Sequence, residues 1–546
     1  MLEQLNEILL SRHYVSQKQL NFAQHESHVT NKPIGEVLEK LGMLTRKQVA
    51  ELTAELVGLE YIDSDKILPS LAALKLFNFN FCSRNNFIPI AIDGNEIVLA
   101  SSEKNENIVR EAVSKQSHLK VKQFYSDAKG IQKTLYHYYF SLDNPIEDVI
   151  SREVNNVLQD ENAVRTLDDL LSHIIHLAVK KRCTDIHVRP MDTSINVAFR
   201  IDGVMHSMFS LDKRLHRLTA TIKLRSSMDI AEFRLPQDGA FDVKLNEDVF
   251  DIRVSTIICS EGENVVMRLL PRNHEAKVLR DLGYEEEHLS IINRIFKHPA
   301  GIFLITGPTG SGKTTTLHAG LRNVDLLDKN VLTVEDPIEY RIPLVRQTQV
   351  NNAAGYTFSS AIRHFLRHDP DVILVGEIRD AETAKTAITA AETGHLVLST
   401  LHTNNVMGIV PRLLSLGVPL HMITDSLVGC ISQRLIRRVC GSCAEMVKPT
   451  AEDMEYLDID ENRLLRKGKG CEHCSDTGFI GRDTLYEILP VSPDFLAAYE
   501  TNSTVVEIQE KALAAGMVTA YEVAKKKVLA GNTSVSEVIY LAPKPE

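Results

Sequence analysis

Apolar and polar positions follow four successive patterns along this chain. Over residues 1–60, leucines and branched residues recur at i, i+3 and i+4, which predicts helices. A weak repeat runs through them. Gln4-Leu5-Asn6-Glu7-Ile8-Leu9 and Pro33-Ile34-Gly35-Glu36-Val37-Leu38 open parallel segments offset by 29 residues. In the second copy Gly42 is placed to end one helix and Thr45 to cap the next. Residues 61–142 change period: 87–92 and 97–100 read as strands around the tight turn Asp93-Gly94, with helices over 109–113 and 131–139. A small α/β domain is expected there. Residues 143–165, polar and containing Pro145, read as a linker. A helix over 167–181 then leads into strands over 185–189, 195–201, 204–210, 241–245, 249–258 and 265–270. This mixed-β module is expected to end near the polar run 281–288. From about 289 the order becomes strand, helix, strand, helix. The run 372–375 is apolar throughout, as a parallel strand buried on both faces requires. Such alternation predicts a parallel sheet with helices on both faces.

Ligands of these sheets sit beyond the carboxyl ends of the strands. At one such end, residues 307–314 satisfy G-x-x-x-x-G-K-S/T between an apolar run and a helix-compatible segment. Gly307, Pro308, Thr309, Gly310, Ser311, Gly312, Lys313, Thr314 and Thr315 are thus expected to cradle a nucleoside triphosphate, ATP. The glycines let backbone N–H groups turn inward around phosphate oxygens, and the following helix N-terminus adds positive charge. Lys313 can reach the β- and γ-phosphates, and the Thr314 hydroxyl can hold Mg²⁺. Further polar residues follow apolar strands: Glu335 with Asp336, then Glu377, then His402, with His395 at the other end of the last strand. Phosphoryl transfer to water needs Mg²⁺ coordination, a carboxylate to orient the water and a sensor of the γ-phosphate. Glu335 and Glu377 suit the first two roles and His402 the third.

The chain has 546 residues, enough for three or four domains at about 150 each. A net charge of −11 argues against a broad electrostatic footprint for nucleic acid, so no nucleic-acid partner is expected. DNA translocation is therefore the weaker use of such an ATPase. No apolar run approaches the roughly 18 residues that span a bilayer. The N-terminus carries Glu3 and Glu7 with no basic region before its leucines, unlike a secretory signal. A cytoplasmic protein is expected, touching membrane only through partners. Cys82, Cys183, Cys259 and Cys430 are isolated and read as small buried hydrophobes. Cys440, Cys443, Cys471 and Cys474 form two C-x-x-C pairs separated by 27 residues. Two such knuckles complete a tetrahedral S₄ site for Zn²⁺, with a small excursion between them, and redox chemistry is the alternative.

With these motifs the chain resembles the type II secretion and type IV pilus assembly ATPases. The resemblance is carried by GPTGSGKTTT at 307–316, TVEDPIEY at 333–340, HDPDVILVGEIRDAETA at 368–384 and TGHLVLSTLHTN at 393–404. These stand in the order of that family's Walker A, aspartate, Walker B and histidine boxes. Upstream, TDIHVRP (184–190), FRIDG (199–203) and MDIAEFRLPQDG (228–239) match as well.

The resemblance implies an α/β chain with a C-terminal RecA-like P-loop domain (289–546) carrying a zinc-binding insertion at about 435–485. Before it come a PAS-like α+β domain (166–288), a small α/β domain (61–142) and a helical docking module (1–60). It implies a homo-hexameric motor at the bacterial inner membrane. ATP hydrolysis would move a membrane platform protein, with a cytoplasmic-facing assembly protein as a further partner. The alternative is a nucleotide-gated scaffold with weak hydrolysis, disfavoured by intact Lys313, Thr314, Glu335 and Glu377. In the family the PAS-like domain supplies arginine to a neighbouring subunit's nucleotide, and Arg200 in FRIDG matches one such position. Thr221 stands where the second is usual, and Arg225, on the same face if 218–228 is helical, is placed to reach back and replace it; the alternative is a solvated surface Arg225 in an enzyme that works with one arginine. Some relatives bind cyclic di-GMP through an Arg-Leu-Gly opening in each N-terminal copy. Neither copy here has the arginine, so such binding is not expected.

Overall fold

The computed structural model describes residues 2–102, 106–143, 146–159, 164–245, 248–272, 277–501 and 503–545. They fall into two compact units, residues 1–39 with 44–275 and residues 40–43 with 276–546.

The first unit opens with helices Leu2–Ser11, Gln17–Thr30, Ile34–Lys40 and Arg46–Val57. The sequence repeat is a repeat of local structure. Ser16 and Gln19 form a capping box at the second helix, and Thr45 and Gln48 form the same box 29 residues later. His13 and Gly42 hold matching left-handed turns ahead of those caps, with φ of 56° and 68°. Leu9 and Leu38, then Val15 and Leu44, are equivalent buried pairs.

Strands β1 (Phe87–Asp93), β2 (Glu96–Ser101) and β3 (Lys120–Tyr125) follow. β1 and β2 pair antiparallel around Gly94, while β2 and β3 run parallel, joined through helix Glu106–Ser117. β3 escapes the sequence reading because Lys120 and Lys122 alternate outward while Val121 and Gln123 are buried. The stretch read as a linker holds helix Ile146–Gln159. Its Ile150 and Val157 pack into one core with Leu170 and Ile174 of helix Val164–Lys180. The polar residues that suggested a linker include that helix's outward face; Pro145 and residues 160–163 lie outside the described residues.

β4 (Cys183–Pro190), β5 (Ser194–Ile201), β6 (Val204–Asp212), β7 (Gln237–Leu245), β8 (Asp248–Cys259) and β9 (Gly262–Pro271) form an antiparallel sheet in the order β6-β5-β4-β9-β8-β7. Ile186, Val188, Phe199, Ile252 and Met267 turn one face onto helices Val164–Lys180 and Arg217–Arg225. The polar run 281–288 does not end this module. Leu279, Tyr284 and Leu289 pack in the core of the second unit with Tyr486 and Val523. Among the isolated cysteines, Cys82, Cys183 and Cys430 are buried as expected, but Cys259, at the tip of β8, is exposed.

In the second unit β10 (Gly301–Thr306), β11 (Val331–Glu335), β12 (Arg346–Gln349), β13 (Val372–Val375), β14 (Leu396–Leu401) and β15 (Leu427–Val439) run parallel. After the small hairpin β16 (Ala444–Val447) and β17 (Leu465–Gly468), β18 (Phe479–Pro490) returns antiparallel to β15. The sheet order is β12-β11-β13-β14-β10-β15-β18. Alternate residues of β10 feed opposite cores: Phe303 and Ile305 meet helices Glu286–Phe296 and Lys313–Leu321, while Ile302 and Leu304 meet helices Phe358–Phe365 and Ala381–Glu392. Each such side chain contributes about 1.5–3 kcal/mol by leaving water. Among the described residues, no helix is long and apolar enough to cross a membrane.

Candidate active site

The carboxyl end of β10 runs straight into the glycine-rich loop. Gly307, Gly310 and Gly312 hold φ of 141°, 76° and 87°, a region that L side chains avoid. Gln433, from β15, is the floor of this loop. Its Nε2 donates to the Ser311 carbonyl at 2.7 Å, while its Oε1 accepts from Thr316 Oγ1 at 2.8 Å and Tyr284 O–H at 2.9 Å. A Cβ at Gly307 would lie 2.2 Å from the Gln433 carbonyl, so the loop can rest on β15 only as glycine. No motif marks Gln433 in the sequence; its role comes from where β15 pairs with β10.

Lys313 begins helix Lys313–Leu321 and is 9% exposed. Its Nζ donates to the carbonyls of Gly307 (2.8 Å) and Pro308 (3.0 Å), holding the ammonium inside the loop. Burial draws its pKa down, and the negative charge of Glu377 works against that shift. Ser311 Oγ, in the same loop, is buried without a hydrogen-bond partner among the described residues. That orphan hydroxyl, the left-handed glycines and the buried ammonium fit phosphate oxygens. Thr314 follows at the second position of the helix, half-buried, where a hydroxyl can meet a metal bound to those phosphates.

The neighbouring strand ends bring the acidic residues and one histidine to the same edge. Glu335 ends β11 at 3% exposure. Its Oε1 accepts from Thr333 Oγ1 at 2.7 Å and Gln347 Nε2 at 3.0 Å. Its Oε2 lies 3.0 Å from His318 Nε2. Burial alone would raise its pKa, but these neighbours outweigh burial and hold it below the usual value. Glu377, two residues beyond β13, is more open. Its Oε2 lies 2.7 Å from Arg379 Nε and 3.5 Å from His402 Nε2. The loop bearing His402 is tied to β10, because Thr306 Oγ1 accepts from Thr403 N–H at 2.6 Å. His318, Gln347 and Arg379 join the site without any signal that singled them out.

His395 is not brought to this edge. It precedes β14, where its carbonyl accepts from Gly301 N–H, so it sits at the amino end of the sheet. Six residues of strand, about 20 Å, separate it from His402. Its Nδ1 lies 2.8 Å from the Ala390 carbonyl.

The arginines of the first unit are engaged within it. Arg200 donates to the Gly203 carbonyl at 2.9 Å, stands 3.9 Å from Asp185, and keeps 40% of its side chain exposed. Arg225, the expected stand-in for an arginine at Thr221, is bound to another helix of the same unit. Its guanidinium forks onto Asp168 at 2.5 and 2.6 Å and also donates to Ser172 at 3.0 Å. Helix Val164–Lys180 offers a planar carboxylate there, the natural partner of a fork of N–H donors.

The two C-x-x-C pairs converge beyond the end of β15. Sγ separations are 3.9 Å for Cys440–Cys471, 3.8 Å for Cys443–Cys474 and 3.7 Å for Cys471–Cys474, and all four lie within 4.8 Å of one another. Sulfurs bound tetrahedrally at about 2.3 Å from zinc would stand about 3.8 Å apart. Cys474 Sγ also accepts backbone N–H from Cys471 and Gly478, both at 3.2 Å, the arrangement that favours a thiolate. The intervening excursion is the β16–β17 hairpin with helix Ala451–Leu457. Four thiols in this geometry fit Zn²⁺.

Comparison with known proteins adds a family to this geometry. A family described as "Type II/IV secretion system protein" matches residues 160–540, and one described as "MshEN domain" matches residues 57–143. The chain is 31% identical to the type IV pilus assembly ATPase PilB of Myxococcus xanthus over 98% of both chains. To the PilB of Thermus thermophilus it is 36% identical over 92% of its own length, spanning 58% of that longer protein. It is 40% identical to the type II secretion system protein E of Klebsiella pneumoniae, over 69% of this chain and 76% of that one.

Proposed function

The chain belongs to the type II/IV secretion system protein family and is an ATPase of that family, and from that premise we propose that it is a hexameric motor that assembles a type IV pilus or a type II secretion pseudopilus. The observation that carries this reading is the convergence of Lys313, Thr314, Glu335, Glu377 and His402 at the carboxyl ends of neighbouring strands of one sheet. Lys313 exchanges the loop carbonyls for phosphate oxygens and carries charge that develops on them. Thr314 and the acidic pair, Glu335 and Glu377, supply oxygen for Mg²⁺ and an anion to orient water. Mg²⁺, when bound, neutralises charge on the β- and γ-oxygens. His402, whose side chain is 45% exposed, is free to turn from Glu377 toward a γ-phosphate.

Arg200, the less committed of the two candidate arginines, is assigned to reach a neighbouring subunit's nucleotide from a PAS-like domain. Arg225 would have to leave Asp168 to do the same. His395 has no role in its own subunit's pocket. Cys440, Cys443, Cys471 and Cys474 hold structural Zn²⁺, away from the nucleotide. The N-terminal helices are a docking module, since neither Gln4-Leu5-Asn6 nor Pro33-Ile34-Gly35 offers a guanidinium to a cyclic dinucleotide. An inner-membrane platform protein and a cytoplasmic-facing assembly protein are the partners on which the motor acts, at the inner membrane's cytoplasmic side.

Steady-state ATP hydrolysis by the purified oligomer tests this reading. Lys313→Ala should lower turnover by about 10²–10³-fold, the cost of one lost transition-state contact. Wild-type turnover in that variant would overturn the site, and negligible turnover in the wild-type oligomer would favour a nucleotide-gated scaffold instead.

A further inference from the structure

His318 has no task in the mechanism above, yet it shares a nine-residue helix with Lys313 and is 1% exposed. Its ring stands edge-on to Tyr340 at 4.6 Å, and its Nε2 is 3.0 Å from Glu335 Oε2. The two oxygens of Glu335 are committed differently. Oε1 is saturated by Thr333 from its own strand and by Gln347 from β12. Oε2 and both nitrogens of His318 are buried, and none makes an aligned hydrogen bond among the described residues. The contact is therefore close without being in line. A buried carboxylate oxygen held this way costs stability, and a well-packed protein keeps such a group where it must be ready for another partner.

We propose that His318 is a positioning residue for Glu335. Standing against Oε2 from the P-loop helix, it fixes where the open oxygen of that carboxylate points. It also ties the helix that answers to phosphate to the carboxylate that ends β11. Nine residues of helix move as one piece, so a shift of the first turn, where Lys313 and Thr314 sit, is felt at the imidazole five residues on. Thr333 and Gln347 meanwhile hold Oε1 as the pivot. The inference rests on Glu335 being one of the two site carboxylates.

The test measures kcat and KM for ATP, with the thermal midpoint, in the full-length oligomer carrying His318→Leu, His318→Gln, His318→Asn, Glu335→Gln, or His318→Leu with Glu335→Gln. Leucine fills much of the space without a nitrogen, glutamine can place an N–H near Oε2, and asparagine is too short to reach it. The leucine and asparagine variants should lower kcat about tenfold or more and leave KM within about twofold, while glutamine restores most of the turnover. On the Glu335→Gln background the leucine should cost nothing further, because a residue acting through another is silent once that other is gone. Wild-type kcat in His318→Leu or His318→Asn, beside an impaired Glu335→Gln, would overturn the proposal. So would equal losses from His318→Leu on both backgrounds. Wild-type kcat in Glu335→Gln would instead overturn the reading of Glu335 itself.

Discussion

The nucleotide cradle and the thiol cluster lie in the same unit and are held in opposite ways. In the cradle, the protein supplies most of the partners. Gln433 satisfies Ser311, Thr316 and Tyr284 at once, Lys313 is held by two loop carbonyls, and Thr306 ties down Thr403. Its form is set by groups that remain when ATP leaves. In the cluster, four sulfurs crowd to 3.7–3.9 Å between neighbours, and the polar groups turned toward them are backbone N–H groups, as at Cys471 and Cys474. Deprotonated, these sulfurs repel one another unless a cation sits between them. One site is a shape that binds; the other is a shape that binding makes.

Lys313→Ala should break the comparison least in structure and most in function. Turnover should fall by about 10²–10³-fold while the thermal midpoint stays near wild type, because the hydrogen bonds of the ammonium go to carbonyls of its own loop. Stripping zinc should do the reverse. A strong chelator should release one metal per chain and open residues 440–478 to protease, while fluorescent-nucleotide binding at the cradle persists. Metal analysis of fresh, reduced protein without zinc would refute the assignment. Gln433→Leu tests whether the cradle is preformed. It strands the Ser311 carbonyl and leaves Thr316 and Tyr284 without their acceptor, at about 1–3 kcal/mol for each group left unpaired. KM for ATP should rise and the thermal midpoint should fall, and an unchanged KM would mean the loop shapes itself. The smallest effect is expected at Arg225. Its partner Asp168 keeps 44% of its side chain exposed, so losing the fork in Arg225→Ala should cost within about 1 kcal/mol, with turnover nearly intact. A collapse of turnover there would mean that Arg225 leaves Asp168 to serve a neighbouring nucleotide.

Residues whose chemistry is local were readable in advance. Lys313 is fixed by a glycine pattern and Glu335 and Glu377 by the apolar strands before them, and each stands at the strand end where the pattern puts it. Thr45 announces its helix because a cap satisfies its own N–H groups within three residues. Residues whose role depends on distant pairing were silent. Gln433 matters only because β15 lies beside β10, and His318 only because its helix crosses the end of β11. Arg225 lies on the expected helix, and the carboxylate that holds its guanidinium, 57 residues away, was silent for the same reason. The segment 143–165 misled in the same way. Its buried Ile150 and Val157 have the seven-residue spacing of a helix face, but they stand among polar residues behind Pro145, the pattern of a linker.

Strand β15 joins these two sites in one span. It passes beneath the phosphate loop at Gln433 and ends at Val439, one residue before Cys440. Seven steps of extended chain, about 23 Å, lie between the amide that supports the loop and the first sulfur, with no turn to absorb movement. Along this length β18 is bonded to it, in one register from Gln433 opposite Tyr486 to Arg437 opposite Arg482 and, past a bulge, with Val439 opposite Phe479, so most of the span is a two-ply plank. A plank that runs from a phosphate cradle to a knot of four thiols behaves as a ruler. The distance between an occupied pocket and whatever grips the cysteine knot is set by the pitch of a β-strand, and the bulge between Arg437 and Val439 is the one place along it where the two ends can part company.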